Sequence, residues 1–318
     1  MRPQKVNQDA LFHATLATSN NRLYTCVGVL DGHGLKGHIV SQFLAQQLPY
    51  HLQSHLQDLL GETLTIVQTP TGSDFDTTAT TPIDYTELEA KLKAQSGLSQ
   101  QELLYHETEP IHHQAMIRAF HSVHWAATQD TQVPAGRNGA TCVTILWDHQ
   151  DNMMHVAHVG DSRVIQVMND NSNNSQHSVE PLSVETTVKV DTERERIEAG
   201  EGSIRGTNVF YGPVGIAMTR SLGNAVMLRA GVVPTPIVKT FPAPTISNSN
   251  SFLVLATDGI WDVLPNDAVA RLVLEHSQNM QHACKSLAAE ARRKWVGDLP
   301  IVDEEKVDDI TCVVIRPV

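Results

Sequence analysis

Between residues 140 and 168 the chain carries three short apolar runs, 140–147, 153–159 and 163–168, joined by segments of at most five residues. Connections that short cannot hold a crossover, which needs a dozen or more residues, so these runs must pair as antiparallel neighbours. This excludes a strictly alternating β-α-β chain over this stretch. The same pattern recurs early, where 10–17 and 23–30 read as strands around a turn-rich Ser19-Asn20-Asn21.

The remaining chain is read by period and punctuation. Val40, Phe43, Leu44, Leu48, Leu52, Leu56 and Leu59 form a helical stripe over 37–60, which Pro49 is expected to split or kink. Residues 61–84 are Thr-rich without sustained period and are expected to be a surface loop inserted in the domain; weak helix is expected at 85–95. Pro110 is a good first-turn residue for a helix to about 128. Residues 169–178 are Asn- and Ser-rich and read as a loop, and 193–199 as a helix ending at Gly200. A buried strand at 252–257, helices at 266–276 and 279–296 and a last strand at 310–315 complete the pattern. Runs of strands interrupted by pairs of helices predict an α+β fold with antiparallel sheets, in one domain.

Composition narrows the function. Lys and Arg number 23 against 35 Asp and Glu, a formal charge of −12, which argues against a binder of nucleic-acid backbone. Cys26, Cys142, Cys284 and Cys312 show no metal-ligand spacing and are expected to be buried free thiols. No apolar run reaches the roughly 18 residues of a membrane span, and residues 1–5 lead into polar sequence with no signal-peptide core. The expectation is a soluble, monomeric protein of the cytoplasm or nucleus, without nucleic-acid or membrane partners.

The aspartates carry the chemistry. Three apolar runs end in Asp followed by a turn: Leu30-Asp31-Gly32-His33, Val159-Gly160-Asp161-Ser162 and Ala256-Thr257-Asp258-Gly259. Asp308-Asp309 precedes the last strand and Asp9 the first. In an antiparallel sandwich these ends can converge on one edge. Like-charged carboxylates repel and lose hydration there, so they gather around cations, and an all-oxygen set suits Mg²⁺ or Mn²⁺ rather than zinc. Any single Asp-Gly is also a common structural turn; the repetition is what points to a metal site.

These residues resemble the metal-dependent serine/threonine protein phosphatases of type 2C. Eight segments match in family order over nearly the whole chain: Asn7-Gln8-Asp9; Val29-Leu30-Asp31-Gly32-His33-Gly34; Gly139-Ala140-Thr141; Val159-Gly160-Asp161-Ser162-Arg163; Glu193 with Arg196-Ile197 and Gly200; 215–223; 255–262; and Asp308-Asp309-Ile310-Thr311. The resemblance implies two packed antiparallel sheets flanked by helices, an α-β-β-α sandwich with a two-metal centre at one edge. It implies that Asp31 bridges two Mg²⁺ or Mn²⁺ ions, that the Gly32 carbonyl binds one and Asp258 and Asp308 the other, and that Asp9 acts through metal-bound water. Asp161, Asp258 and Asp262 would form a weaker third site. The implied reaction is in-line attack of a metal-bridging hydroxide on phosphoserine or phosphothreonine of a protein substrate, with His33 as general acid to the leaving oxygen.

The sequence also departs from that family. A strand and an arginine that grips phosphate normally precede the opening acidic motif; here only eight residues precede Asp9. The expectation is a missing first strand and an exposed sheet edge, with Lys5 or Arg2 as phosphate ligand. Gln8 stands where many members have glutamate, Asn224 where Asp is usual and Ile237 where an acid is frequent, and 184–189 replaces a stretch that usually contains histidine. The pairs His51/His55 and His121/His124 and the cluster Arg292-Arg293-Lys294 are read as solvated helix faces. Two rival readings are a pseudophosphatase scaffold on the same fold and a phosphoesterase acting on nucleotides or other small phosphates.

Overall fold

A computed structural model describes residues 5–68, 88, 91, 94, 109–169, 177–244, 251–297 and 307–317. Its strands are β1 (Ala10–Thr18), β2 (Leu23–Leu30), β3 (Gly32–His33), β4 (Leu64–Gln68), β5 (Gly139–Ala140), β6 (Cys142–Asp148), β7 (Met153–Val159) and β8 (Arg163–Asn169). They continue with β9 (His177–Pro181), β10 (Ser203–Arg205), β11 (Asn208–Tyr211), β12 (Val214–Ile216), β13 (Leu222–Gly223), β14 (Ile237–Pro242), β15 (Ser251–Ala256) and β16 (Cys312–Ile315). The helices are α1 (Gly37–Leu60), α2 (Ile111–Gln129), α3 (Asp191–Ala199), α4 (Asp258–Trp261), α5 (Asn266–Glu275) and α6 (Met280–Val296).

The two-residue alternation of the strands builds the layers. In β2, Tyr24, Cys26 and Leu30 point one way, into a core with Phe43, Leu44 and Leu48 of α1 and Ala119, Phe120 and Val123 of α2. Val27 and Val29 point the other way and meet Leu253 and Leu255 of β15 and Val164 of β8. Those strands send Ile165, Val167, Phe252 and Val254 outward against Val269 of α5 and Leu287 of α6. The result is helices, sheet, sheet, helices. One sheet has the order β14-β7-β6-β2-β1-β4 and the other β16-β15-β8-β9, with every pairing antiparallel. Gly28 permits the central contact: a Cβ there would lie 2.5 Å from the Phe12 ring. Burying a side chain like Phe12 contributes about 1.5–3 kcal/mol.

Several expectations are corrected. α1 runs unbroken through Pro49. Part of the Thr-rich segment is not loop: β4 pairs with β1, so the outer edge of β1 is covered rather than exposed. Residues 69–84 of that segment, most of the expected 85–95 helix and residues 303–305 lie outside the described residues, although 88, 91 and 94 are helical. α3 does end at Gly200, as expected, with extended backbone there (φ −86°). His51, His55, His121 and His124 do not face solvent, being 1–7% exposed. They sit between the helices and in reach of distant partners: His55 bonds Ser122 Oγ (2.8 Å), His121 bonds Thr235 Oγ1 (2.8 Å), and His124 Nδ1 accepts from Gly223 N (3.2 Å). Of the cysteines, Cys26 and Cys142 are buried as expected, but Cys284 and Cys312 are only partly so. Arg292, Arg293 and Lys294 are exposed, and Arg293 pairs with Glu290. Among the described residues no helix is long and apolar enough to cross a membrane.

Candidate active site

The site is assembled at one edge of the sandwich, where β2, β8 and β15 begin or end. Asp31 follows β2 and is held by Thr141, which donates its backbone N–H to the Asp31 carbonyl (2.9 Å) and accepts the Asp31 N–H on Oγ1 (3.2 Å). The same Thr141 hydroxyl meets Ser162 Oγ at 2.6 Å, tying the Asp31 turn to the Asp161 turn across the sheet gap. Asp258 opens α4 directly after β15 and Asp262 closes it, one helical turn later. Asp9 is clasped by the Thr257 hydroxyl, which donates to Oδ2 at 2.9 Å. Thr257 donates its backbone N–H to the Thr311 carbonyl (3.1 Å) and accepts the Thr311 N–H on its hydroxyl Oγ1 (3.1 Å), so the Asp308 segment is fixed beside Asp258. Glycine is needed where these backbones meet: a Cβ on Gly259 would lie 1.9 Å from the Asp309 carbonyl oxygen, and one on Gly32 2.3 Å from that of Gln8.

The carboxylates feel one another. Burial, with Asp258, Asp9 and Asp161 beside it, holds Asp31 well above the ordinary aspartate range. Burial and the nearby Asp309 and Asp258 push Asp9 up to about 7. Asp161 is likewise raised to about 7 by burial and by Asp258, and Asp258 to about 6 by burial, Asp308 and Asp262. Asp262 is raised too, by burial first and then by Asp308 and Glu185. Asp9, Asp31, Asp161, Asp258, Asp262 and Asp308 are therefore one electrostatic cluster.

Among the described residues no group of three or more His, Cys, Asp or Glu already stands at the spacing of a closed metal cage. The donor set nevertheless fits hard divalent cations. It is all oxygen, and Asp9 Oδ1, Asp161 Oδ1 and Asp258 Oδ1 are buried without a hydrogen-bond partner. An orphaned buried carboxylate oxygen is costly, and a hard divalent cation such as Mg²⁺ or Mn²⁺ would remove that cost.

His33 lies in β3, which pairs with β5, which pairs with β13. Its Nε2 meets Asn224 Oδ1 at 2.5 Å and Ser221 Oγ at 3.4 Å. Burial lowers the imidazole below its ordinary range, opposed by the bonds to Asn224 and to the Asp31 backbone. Asn224 adopts a left-handed backbone (φ 49°) to make this contact. Behind it stands Glu193, whose carboxylate takes both Arg196 (2.9 and 2.5 Å) and Arg220 (2.6 and 3.0 Å) and the Thr219 hydroxyl (2.6 Å). This buried network fixes the segment before β13 that carries Ser221.

Lys5 lies at the cluster, donating to the Val307 carbonyl (2.8 Å) and ion-paired with Asp309 (3.2 Å) and Asp308 (3.6 Å). Arg2 lies outside the described residues. The sequence reading missed the threonine clasp, the bond from Asn224 to His33 and the place of Glu185, which neighbours Asp161 and Asp262 and pairs with Arg163. Only Asn224 carried a signal, as a departure from the family pattern.

Comparison with known proteins decides the family. The profile described as Protein phosphatase 2C matches residues 84–298, more than half of the chain. The chain belongs to the protein phosphatase 2C family. It is 27% identical over 97% of its length to a probable protein phosphatase 2C 61 of Arabidopsis thaliana, of which it covers 79%. It is 27% identical to a probable protein phosphatase 2C 38 of Oryza sativa subsp. japonica and 28% identical to a probable protein phosphatase 2C 1 of Arabidopsis thaliana. It spans 65% and 62% of those two, less than two thirds of their length. The protein phosphatase 2C fold is matched in a solved serine-threonine phosphatase 2C from Toxoplasma gondii, with TM-score 0.62, 16% identity and coverage of 96% of this chain and 93% of that one. A C. elegans sex determining protein matches at TM-score 0.56, also with 16% identity, over 98% of this chain and 61% of that one.

Proposed function

We propose that this chain, a protein phosphatase by family, hydrolyses phosphoserine and phosphothreonine in proteins with the aid of Mg²⁺ or Mn²⁺. The observation that carries the reading is the cluster of buried, mutually repelling aspartates with orphaned oxygens, set beside His33. Asp31, Asp258 and Asp308, with the Gly32 carbonyl, would hold two ions; Asp9 would orient water at their edge; Asp161, Asp258 and Asp262 would hold a weaker third. Bound there, the cations supply charge neutralisation for the phosphate and activation of water.

The chain's own groups do the rest. Thr141, Thr257 and Thr311 hold the acidic turns in place before substrate arrives, which matters because phosphoryl transfer rests mostly on positioning. Asn224 and Ser221 hold the His33 ring. A phosphate dianion entering beside His33 favours its protonated form, and the imidazolium then gives its proton to the departing serine or threonine oxygen. Lys5, held beside Asp308, remains the candidate cation for the phosphate among the described residues. A pseudophosphatase reading finds no support, since every acidic residue it would need to have lost is present and gathered.

The test is hydrolysis of a phosphothreonyl peptide by the purified chain with Mn²⁺ and with chelator, beside Asp258→Asn. Metal-dependent turnover, lost by orders of magnitude in a variant with unchanged circular dichroism, is expected. Undiminished turnover of Asp258→Asn at limiting Mn²⁺ would overturn the site. Faster cleavage of nucleotides than of phosphopeptides would overturn the substrate class.

A further inference from the structure

Two cysteines take no part in the site, yet they stand together. Cys284 lies early in α6 and Cys312 opens β16, and both border the apolar cluster that binds this helix to its sheet. The Cys312 thiol donates towards the Cys284 carbonyl (Sγ to O 3.8 Å). The neighbouring Cys312 thiol favours the Cys284 thiolate and draws its thiol down to about 7, while Cys312 is pushed up. Both residues are partly exposed. Cys26 and Cys142 are the opposite: fully buried, with burial pushing Cys142 up to about 12 and Cys26 upward as well. The chain thus carries two shielded thiols and one accessible pair in which a nucleophile already faces a second sulfur.

We infer that Cys284 and Cys312 form a reversible dithiol–disulfide site that reacts with peroxides. The Cys284 thiolate attacks one oxygen of hydrogen peroxide; the O–O bond breaks, a sulfenic acid forms and hydroxide leaves. Cys312 gives up its proton and its sulfur attacks the Cys284 sulfur. The S–S bond forms, the S–O bond breaks, and the departing hydroxide takes the proton as water. In sum, two thiols and one hydrogen peroxide give one disulfide and two waters, and a thiol reductant reverses the step.

The position gives the bond a consequence. The intervening stretch, 285–311, contains Asp308, and Cys312 pairs across the ladder with Ala256, two residues before Asp258. Closure therefore staples the segment that brings Asp308 to the site onto α6, without using a site carboxylate. By loop-closure entropy, a link across a stretch of this length raises the melting temperature of a chain this size by about 5 °C.

The experiment treats the full chain, with metal chelated, with hydrogen peroxide, then alkylates it under denaturing conditions and maps the peptides. The expected product joins the peptides of Cys284 and Cys312 with loss of two hydrogens, leaves Cys26 and Cys142 free for alkylation, and reverts with dithiothreitol. The oxidised protein should melt about 5 °C higher. Cys312→Ser should stop at a Cys284 sulfenic acid that dimedone traps, and Cys284→Ser should leave Cys312 unmodified. Overoxidation of Cys284 without a cross-link, equal reaction of all four cysteines, or a cross-linked form that melts lower would each overturn the inference.

Discussion

Removing the Glu193 carboxylate should cost the fold about 3–4 kcal/mol. Glu193 is depressed from its ordinary value to about 2 by its bonds to Arg196 and Arg220, which outweigh its burial. A depression of that size corresponds to roughly 3 kcal/mol of favourable interaction. Because an acid with a lowered folded value is the case, that stability is complete above pH 4.5 and is lost as pH falls through about 2. A second route gives the same size. Glu193→Ala strands Arg196, with a side chain 7% exposed, and Arg220, 16% exposed, without their anion. Breaking a buried pair from one side typically costs about 3–5 kcal/mol. With an unfolding entropy of about 2.1 cal/mol/K per residue, the melting temperature should drop by roughly 5–6 °C. The assay is urea and thermal unfolding at pH 7.5 of wild type, Glu193→Ala and the double variant Glu193→Ala/Arg220→Ala, which should recover part of the loss. A loss below about 1 kcal/mol would put the network in the class of exposed ion pairs and refute the reasoning.

Three further outcomes are expected. The buried histidines His51 and His124 are lowered to about 4, and His55 and His121 to about 3, chiefly by burial, so their stability is complete above 6.5 and lost as pH falls towards 4. The raised aspartates Asp9, Asp161 and Asp258 have the opposite sign, their contribution lost as pH rises from about 4 to 7. A bound divalent ion holds those carboxylates ionised, so urea midpoints between pH 8 and 5 should fall more steeply with Mn²⁺ than with chelator; equal slopes would contradict the assignment. His33→Ala should slow hydrolysis of alkyl phosphates far more than of aryl phosphates, since a good leaving group needs no proton; equal losses would remove the general-acid role. Gly139→Ala should perturb the His33 support, because its Cβ would lie 1.8 Å from Asn224 Oδ1 and 2.5 Å from the Leu222 carbonyl; activity at wild-type level would show that this contact yields cheaply.

The legible parts of the molecule were those decided locally. The apolar runs Leu23–Leu30 and Met153–Val159 mark buried strands, and the stripe from Val40 to Leu56 a buried helix face, wherever the partner lies. The aspartates after β2, β7 and β15 were legible because strand ends of one sandwich share an edge. What escaped depends on distant partners. Leu64–Gln68 becomes a strand because β1 offers it an edge, and Ile237–Pro242, with Lys239 and Pro242, is a boundary strand that local pattern does not mark. β10, β11 and β12 are too short for any period to emerge. The histidines of α1 and α2 look polar in sequence, but Ser122, Thr235 and Gly223 bond one ring nitrogen each of His55, His121 and His124 inside the fold. His33 and Asn224 are 191 residues apart, so their contact exists only after folding.

The same distance matters in time. The Gln8 amide donates to Asp309 Oδ2 across 301 residues, and the Thr257 hydroxyl reaches back to Asp9 across 248. A chain emerging from the ribosome makes Asp9 and Asp31 long before Asp258 and Asp308. The nascent protein can pack α1 and α2 on the first sheet long before it owns a complete set of acidic ligands. Activity should therefore wait until the Asp308 segment has been made and has reached Asp9 and Asp258.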